Sequence, residues 1–225
     1  MSLILNIDSS LQTASVSLAK NGDILQLLQN ENQQEHAAFL HTAIKNIFVK
    51  TAVDIKELDA VAVTEGPGSY TGLRVGMSAA KGLCYALQKP FITINTLEAM
   101  AKAAVFEINS EENLLLVPMI DARRMEVFTA VYNKSLQLKM PAQALVLNED
   151  SYKDELTGSR ACFFGNGAAK WKAICCHHPN ADFSVEYFDL PKAIALLTYR
   201  SFTTKKFTEL SLSQPLYIKE FFSNK

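Results

Sequence analysis

Apolar and polar positions alternate in blocks that change period along the chain. Leu3 to Ile7 is a short apolar run closed by Asp8-Ser9-Ser10, and Ala14 to Ala19 then alternates, with Ala14, Val16 and Leu18 on one side and Ser15 and Ser17 on the other. Asn21-Gly22 is a strong hairpin signal, and Ile24 to Leu28 supplies the return strand, so an antiparallel three-stranded meander is predicted. After the polar break Gln29 to Gln34, the period becomes helical. Leu40, Ala43, Ile44, Ile47 and Phe48 predict a helix from about Glu35 to Lys50. Asp54 and Glu57 have capping-box spacing, and Ala60 to Val63 reads as a buried strand. The segment Glu65 to Gly76 follows as a glycine-rich turn, opening a helical pattern that runs to about Leu87. Phe91 to Ile94 is a further strand, Thr96 is placed to cap a helix reaching about Glu107, and Asn109 to Asn113 is a polar link.

Beyond that link the opening pattern returns. Leu114 to Ile120 is apolar and ends in Asp121; Val127 to Tyr132, a turn at Asn133-Lys134 and Leu136 to Met140 follow. Ile120-Asp121 aligns with Ile7-Asp8 as the end of a first strand before a hairpin. The order of elements repeats although the residues match weakly, which predicts two duplicated lobes, residues 1–109 and 110–225. The second is shorter in regular structure: a short helix after Asn148, a strand at Ala161 to Phe164, a loop at Gly165-Asn166-Gly167 and a last helix from near Pro191. Pro215 to Lys219 reads as an ordered return segment. The fold class expected is α/β.

Composition narrows the function classes. Of 225 residues, 48% are apolar and 20% charged, as in a globular chain that buries a core. The net charge of −1 offers no bulk attraction to nucleic acid or membrane, which argues against autonomous RNA binding and leaves a local basic patch open. No apolar run approaches the roughly 20 residues of a membrane helix, and no basic region precedes the first strand, so neither a membrane span nor a signal peptide is expected. Cys84, Cys162, Cys175 and Cys176 form no disulfide framework, and the expected compartment is the reducing cytoplasm.

Several constellations bear on chemistry. In the glycine loop, Gly66, Pro67, Gly68, Ser69 and Gly72 join a strand to a helix, a geometry that suits either an anion at a helix entrance or the close approach of another backbone. It has neither the Gly-Lys-Ser/Thr ending of a P-loop nor dinucleotide-fingerprint spacing. Asp8 and Asp121 close corresponding strands; each is placed either to hold a hydrated magnesium ion or water, or to cap its own turn. Asp8-Ser9-Ser10 is the candidate residual nucleotide or anion loop. Cys175-Cys176-His177-His178 has zinc-ligand residue types, but adjacent residues do not all reach one tetrahedral centre. His36 and His41 are five apart and point to different faces of one helix. Neither a Gly-x-Ser-x-Gly elbow nor an evident partner histidine for Ser69 supports a serine hydrolase. Arg74 and Lys81 follow the glycine loop within reach of an anion, on a helix whose Gly72, Gly76, Ala79, Ala80 and Gly82 allow close packing inside the fold or against a partner.

Taken in order, Ile7-Asp8-Ser9-Ser10, Gly66 to Gly76, Ile94-Asn95-Thr96-Leu97-Glu98-Ala99-Met100, Ile120-Asp121-Ala122-Arg123 and Pro215-Leu216-Tyr217 closely resemble the TsaB (YeaZ) family, partners of TsaD in making threonylcarbamoyladenosine on bacterial tRNA. The resemblance spans nearly the whole chain, is strongest up to about Tyr132 and is loose from Ala142 to Asp189. It implies a two-lobed actin-like, sugar-kinase and Hsp70 (ribonuclease H-like) fold with a reduced second lobe, and a non-catalytic scaffold. The catalytic relative has Asn-His-Leu-Glu-Ala/Gly-His where this chain has Asn95-Thr96-Leu97-Glu98-Ala99-Met100, so Thr96 and Met100 replace both metal-binding histidines. Gln12 likewise replaces an Asp of the relative's first loop. The resemblance further implies pairing with TsaD through first-lobe helices, with His36, Leu40, Thr71, Arg74, Val75 and Ser78 at the interface. TsaE joins as an ATPase, isolated chains form a homodimer by the same surface, and tRNA is met only through the complex. No cofactor is expected on this chain alone: ATP or ADP is left for the complex interface, and the metal belongs to TsaD. Two other readings compete. One is a stand-alone actin-fold ATP-dependent kinase or phosphotransferase using Asp8 and the Gly66–Gly68 loop, which needs a second phosphate loop for which only Gly165-Asn166-Gly167 is a thin candidate. The other is a metallopeptidase, against which the missing histidine pair counts.

Overall fold

The structure, a computed structural model, describes residues 1–32, 35–108, 113–175, 178–186 and 188–219. Most of the expected link 109–113, part of the polar break 29–34, and Cys176 and His177 of the Cys-Cys-His-His run lie outside the described residues.

The chain divides into two compact units. The first joins Met1–Ala99 to Leu190–Leu216, and the second holds Met100–Asp189 with the residues from Tyr217 onward. In the first, β1 (Leu3–Asp8), β2 (Ala14–Lys20) and β3 (Asp23–Asn30) form the predicted meander, turning at Asn21 (φ 54) and Gly22 (φ 90). β4 (Ala60–Gly66) and β5 (Phe91–Asn95) add in parallel on the other side of β1, giving the order β3-β2-β1-β4-β5. β1 and β4 are buried almost throughout, as expected of strands covered on both faces. One cover is the pair α1 (His36–Thr51) and α2 (Tyr70–Leu87), whose Leu40, Ile47, Met77 and Ala80 pack on Leu5, Ile7, Val61 and Val63. Asp54 and Glu57 do close a capping box, around a single 3-10 turn at Ile55–Glu57.

Helix α6 (Leu190–Thr203), assigned by sequence to the second lobe, belongs to the first unit. Its Thr198 hydroxyl donates to Asn6 Oδ1 at 2.8 Å, and Asn6 Nδ2 donates to Ser17 Oγ at 3.3 Å, so a buried polar chain ties the helix to β1 and β2. The return segment after it closes with Leu216 N donating to Glu65 O at 2.7 Å.

The second unit repeats the plan. β6 (Leu115–Asp121), β7 (Glu126–Asn133) and β8 (Leu138–Val146) form an antiparallel meander, and β9 (Ala161–Phe164) and β10 (Ala181–Asp182) add in parallel beyond β6. The order β10-β9-β6-β7-β8 is that of the first sheet read from the other end. Reduction is visible in the two-residue β10 and in the short α4 (Lys153–Gly158) and α5 (Ala168–Cys175). Its core is aromatic: Tyr152 meets Phe163 and Trp171 edge-on at centroid distances of 5.1 and 5.4 Å. Strand β10 and helix α5 were not read from sequence. Helix α3 (Thr96–Glu107) starts where predicted, but its cap is Asn95, whose Oδ1 accepts from Leu97 N and Glu98 N at 2.9 and 3.2 Å. Thr96 is instead fully buried and its hydroxyl has no partner among the described residues.

Candidate functional site

At the carboxyl ends of β1 and β4 the glycine loop meets Asp8-Ser9-Ser10. A Cβ on Gly68 would lie 2.1 Å from Ser10 O, and one on Gly72 would lie 2.0 Å from Ser9 O, so only glycine lets these backbones approach. Ser69 N donates to Ser10 O at 2.7 Å, and Ser9 Oγ donates to Gly72 O at 2.7 Å. Ser69 also caps α2, its Oγ accepting from Gly72 N at 3.3 Å, while Leu73 N donates to Ser69 O. Pro67 follows a cis peptide bond to Gly66.

These contacts choose between the two meanings of the loop. The atoms that fill the glycine cradle are the chain's own carbonyl oxygens, which repel an anion, and the N–H groups of Ser69, Gly72 and Leu73 are already engaged. The segment acts as a clamp that locks the β1–β2 loop onto the entrance of α2.

Asp8 is 2% exposed and serves its own turn: Oδ1 accepts from Ser10 N at 3.0 Å, Ser10 Oγ at 2.7 Å and, across to β4, Thr64 Oγ1 at 2.6 Å. Asp121 also caps, with Oδ1 accepting from Arg123 N at 2.6 Å and pairing with Lys170 Nζ at 2.8 Å. Partial burial pushes that carboxyl up, but the Lys170 hydrogen bond, the Arg123 N–H and the Lys170 charge together hold it below the ordinary range. The loop Gly165-Asn166-Gly167 is a second clamp of the same kind. Gly167 N donates to Met119 O at 3.0 Å, Asn166 Oδ1 accepts from Asp121 N at 2.8 Å, and a Cβ on Gly165 would lie 2.4 Å from Met119 O. Beside it a concavity of about 440 Å³ is lined by Phe164, Phe183, Phe188, Asn166 and Lys172 among others, which sequence reading missed because its walls come from β9, α5 and the irregular stretch after β10.

The remaining candidates divide by exposure. On α2, Thr71, Arg74 and Ser78 are exposed on one stripe that continues to Tyr85, 81% exposed; Val75 is half-buried against the core. His36 and Leu40 are 3% and 0% exposed, so these two face inward and are corrected from surface residues to supports. His36 Nε2 lies 3.0 Å from Gln12 O. The small residues of α2 also turn mostly inward: Gly72, Gly76 and Ala80 are buried, and only Gly82 has open space around it. Arg74 lies over the Tyr70 ring at 3.9 Å, and Lys81 donates to Ser213 O at 2.9 Å, so neither is held ready for an anion at the loop. His41 is exposed while His36 is buried, in keeping with their different faces.

Residues at the positions of the relative's histidines do not fit a metal: Thr96 and Met100 are 0% and 1% exposed and offer a neutral hydroxyl and a thioether. Among the described residues no group of three or more His, Cys, Asp and Glu is placed to hold a metal ion, and no helix is long and apolar enough to cross a membrane. Glu98, two residues along α3 from each of these positions, is half-buried. Burial pushes its carboxyl up against the opposing pull of Arg200 and Lys206, and Glu65 adds to the rise.

Two sheets of one order, each with a glycine loop clamped on the end of its first strand, define the duplicated ribonuclease H-like fold of actin-like ATPases and sugar kinases. A family model described as "TsaD: tRNA N6-adenosine threonylcarbamoyltransferase" matches residues 29–198, and the chain belongs to that family. Within it the likeness is to TsaB, also called YeaZ. The tRNA threonylcarbamoyladenosine biosynthesis protein TsaB of Haemophilus influenzae is 38% identical over 56% of this chain and 51% of its own, and that of Escherichia coli 31% over 58% and 55%. The matched region thus spans about half the length of these curated relatives. The solved structure of YeaZ from Pseudomonas aeruginosa superposes with a TM-score of 0.80 at 24% identity, covering 96% of this chain and 100% of that one.

Proposed function

We propose that this chain is a non-catalytic partner subunit of the complex that makes threonylcarbamoyladenosine next to the tRNA anticodon, where it binds and supports a TsaD-type catalytic subunit. The carrying observation is the outward stripe Thr71, Arg74, Ser78 and Tyr85 on α2, a helix whose inner face is anchored by the glycine clamp. On α1, Val49 is 72% exposed, so the helix pair offers apolar side chains to a partner as well as polar ones. His36, Leu40 and Val75 hold the two helices in place beneath that face. The buried Thr96 and Met100 support the non-catalytic part of the reading, since the metal and its chemistry then come from the TsaD-type subunit. A TsaE-type ATPase joins the assembly, ATP or ADP is confined to subunit interfaces, and the isolated chain self-pairs by the same face.

Co-purification tests the reading. Ser78→Arg places a long charged side chain on the exposed stripe and is expected to abolish capture of the TsaD-type subunit while leaving the monomer folded. Reconstituted tRNA modification with and without the wild-type chain tests the whole: activity that does not depend on the chain overturns the proposal. A stand-alone kinase has no specific observation in its favour, because the glycine cradle it would use is filled by Ser9 and Ser10 carbonyls.

A further inference from the structure

The β6–β7 hairpin turn holds a feature that neither the partner stripe nor the glycine clamps use. Arg123 (φ 69) and Arg124 (φ 45) both adopt left-handed backbone, where glycine or asparagine is the ordinary occupant. The turn keeps this shape through its own bonds. Asp121 Oδ1 accepts from Arg123 N at 2.6 Å, Glu126 N donates to Arg123 O at 3.0 Å, and Leu147 N donates to Met125 O at 2.8 Å. Two arginines therefore sit, against backbone preference, on a rigid support.

Charge around the turn is unbalanced. The two acids of the turn itself are already engaged, Asp121 with Lys170 and Glu126 with Lys219. Both arginines are exposed, and neither forms an ion pair among the described residues. Of the groups in this ion-paired cluster, four are cations, Arg123, Arg124, Lys170 and Lys219, and two are carboxylates, Asp121 and Glu126, so two cations are left over within it; Glu149 and Asp150, just beyond Leu147, are the next acids along the chain. Two adjacent unpaired guanidiniums are donor forks matched to phosphate oxygens.

We propose that the Arg123–Arg124 turn is a phosphate-backbone contact for RNA, the tRNA substrate of the complex. This rests on the function proposed above and deepens it: the subunit then positions the substrate as well as supporting its partner. Contact is by charge and shape rather than by base, and it acts when the complex brings tRNA to the turn. An acidic face of a partner protein is the other chemistry that two guanidiniums fit, and the experiment separates the two.

The variant Arg123→Asn/Arg124→Gly removes both charges with residues that accept left-handed backbone, so the hairpin keeps its fold. Binding of an unmodified tRNA transcript to the complex of this chain with its TsaD-type subunit is measured across a salt series. The variant complex is expected to bind about tenfold more weakly near 0.1 M salt, with the slope of log K against log salt smaller by about 1.4 to 1.8, the loss of two phosphate contacts. Arg123→Lys/Arg124→Lys is expected to keep the slope. Unchanged affinity and slope in the Asn/Gly variant overturn the inference while leaving the partner reading intact. Loss of complex assembly with this variant, tRNA affinity of the separate subunits being unchanged, assigns the turn to a protein contact and also overturns it. A wild-type chain on which modification does not depend removes the functional reading and this inference with it.

Discussion

Ser9 and Ser10 present their carbonyls to α2 because Gly72 and Gly68 have no Cβ to stand in the way. An alanine at 72 would put a methyl group 2.0 Å from Ser9 O, a backbone atom that is itself held on the end of β1. The Gly72→Ala chain is expected to lose about 2–4 kcal/mol and to melt roughly 5–12 °C lower. On the same helix, a Cβ added at Gly82 would meet nothing within 4 Å, so Gly82→Ala is expected to raise stability by about 0.5–1 kcal/mol through helix propensity alone. Thermal melts of the two variants check the contrast, and equal shifts would refute the clamp. These glycines stood out in the sequence, but their spacing could not say whether an anion or a backbone came close. The deciding atoms, Ser9 O and Ser10 O, lie about 60 positions away in the chain. Likewise the start of α3 was legible, yet Thr96 and Asn95 are both capping types, and only the side-chain direction assigns the cap to Asn95.

Helix α6 shows where legibility stops among elements. Its existence and the proline near its start were readable, and its sheet was not, because amphipathicity says that a helix buries a face without naming the surface that receives it. The receiving surface is set by Asn6, whose Oδ1 accepts from Thr198 and whose amide reaches Ser17, all four of these groups lying on buried residues. Thr198→Val keeps the volume and leaves Asn6 Oδ1 without that donor, so denaturant titration is expected to report a loss of about 1–3 kcal/mol. A change within error would mean that apolar packing alone docks the helix. The meanders, by contrast, were readable from alternation and Asn21-Gly22, since hairpins are local. The two-residue β10 and the eight-residue α5 are too short for a period to emerge.

At the scale of the whole molecule, both units close their cores over a thiol, Cys84 in the first and Cys162 in the second, each 2% exposed or less. Burial pushes both from 9.0 up to about 11; a hydrogen bond from the Val61 backbone opposes the rise at Cys84, while the nearby Asp182 charge reinforces it at Cys162. A raised value for an acid means that the folded state holds the proton longer. Stability from this source is complete below pH 9 and is lost as pH rises from 9 through about 11, because the unfolded chain ionises first. At pH 10 the loss is about 1 kcal/mol per thiol, on the scale of 1.4 kcal/mol per tenfold change in proton affinity. Urea midpoints measured between pH 8 and 10.5 are expected to fall more steeply for the wild-type chain than for Cys84→Ala or Cys162→Ala, and the double variant is expected to be the flattest. Parallel curves for all four proteins would show that alkaline loss comes from other groups. Alkylation gives an independent reading, since neutral, buried thiols are expected to react with iodoacetamide only as fast as their unit opens. Each cysteine then reports the opening of the unit it belongs to, and a difference between the two rates would measure how far the reduced second unit has lost stability relative to the first.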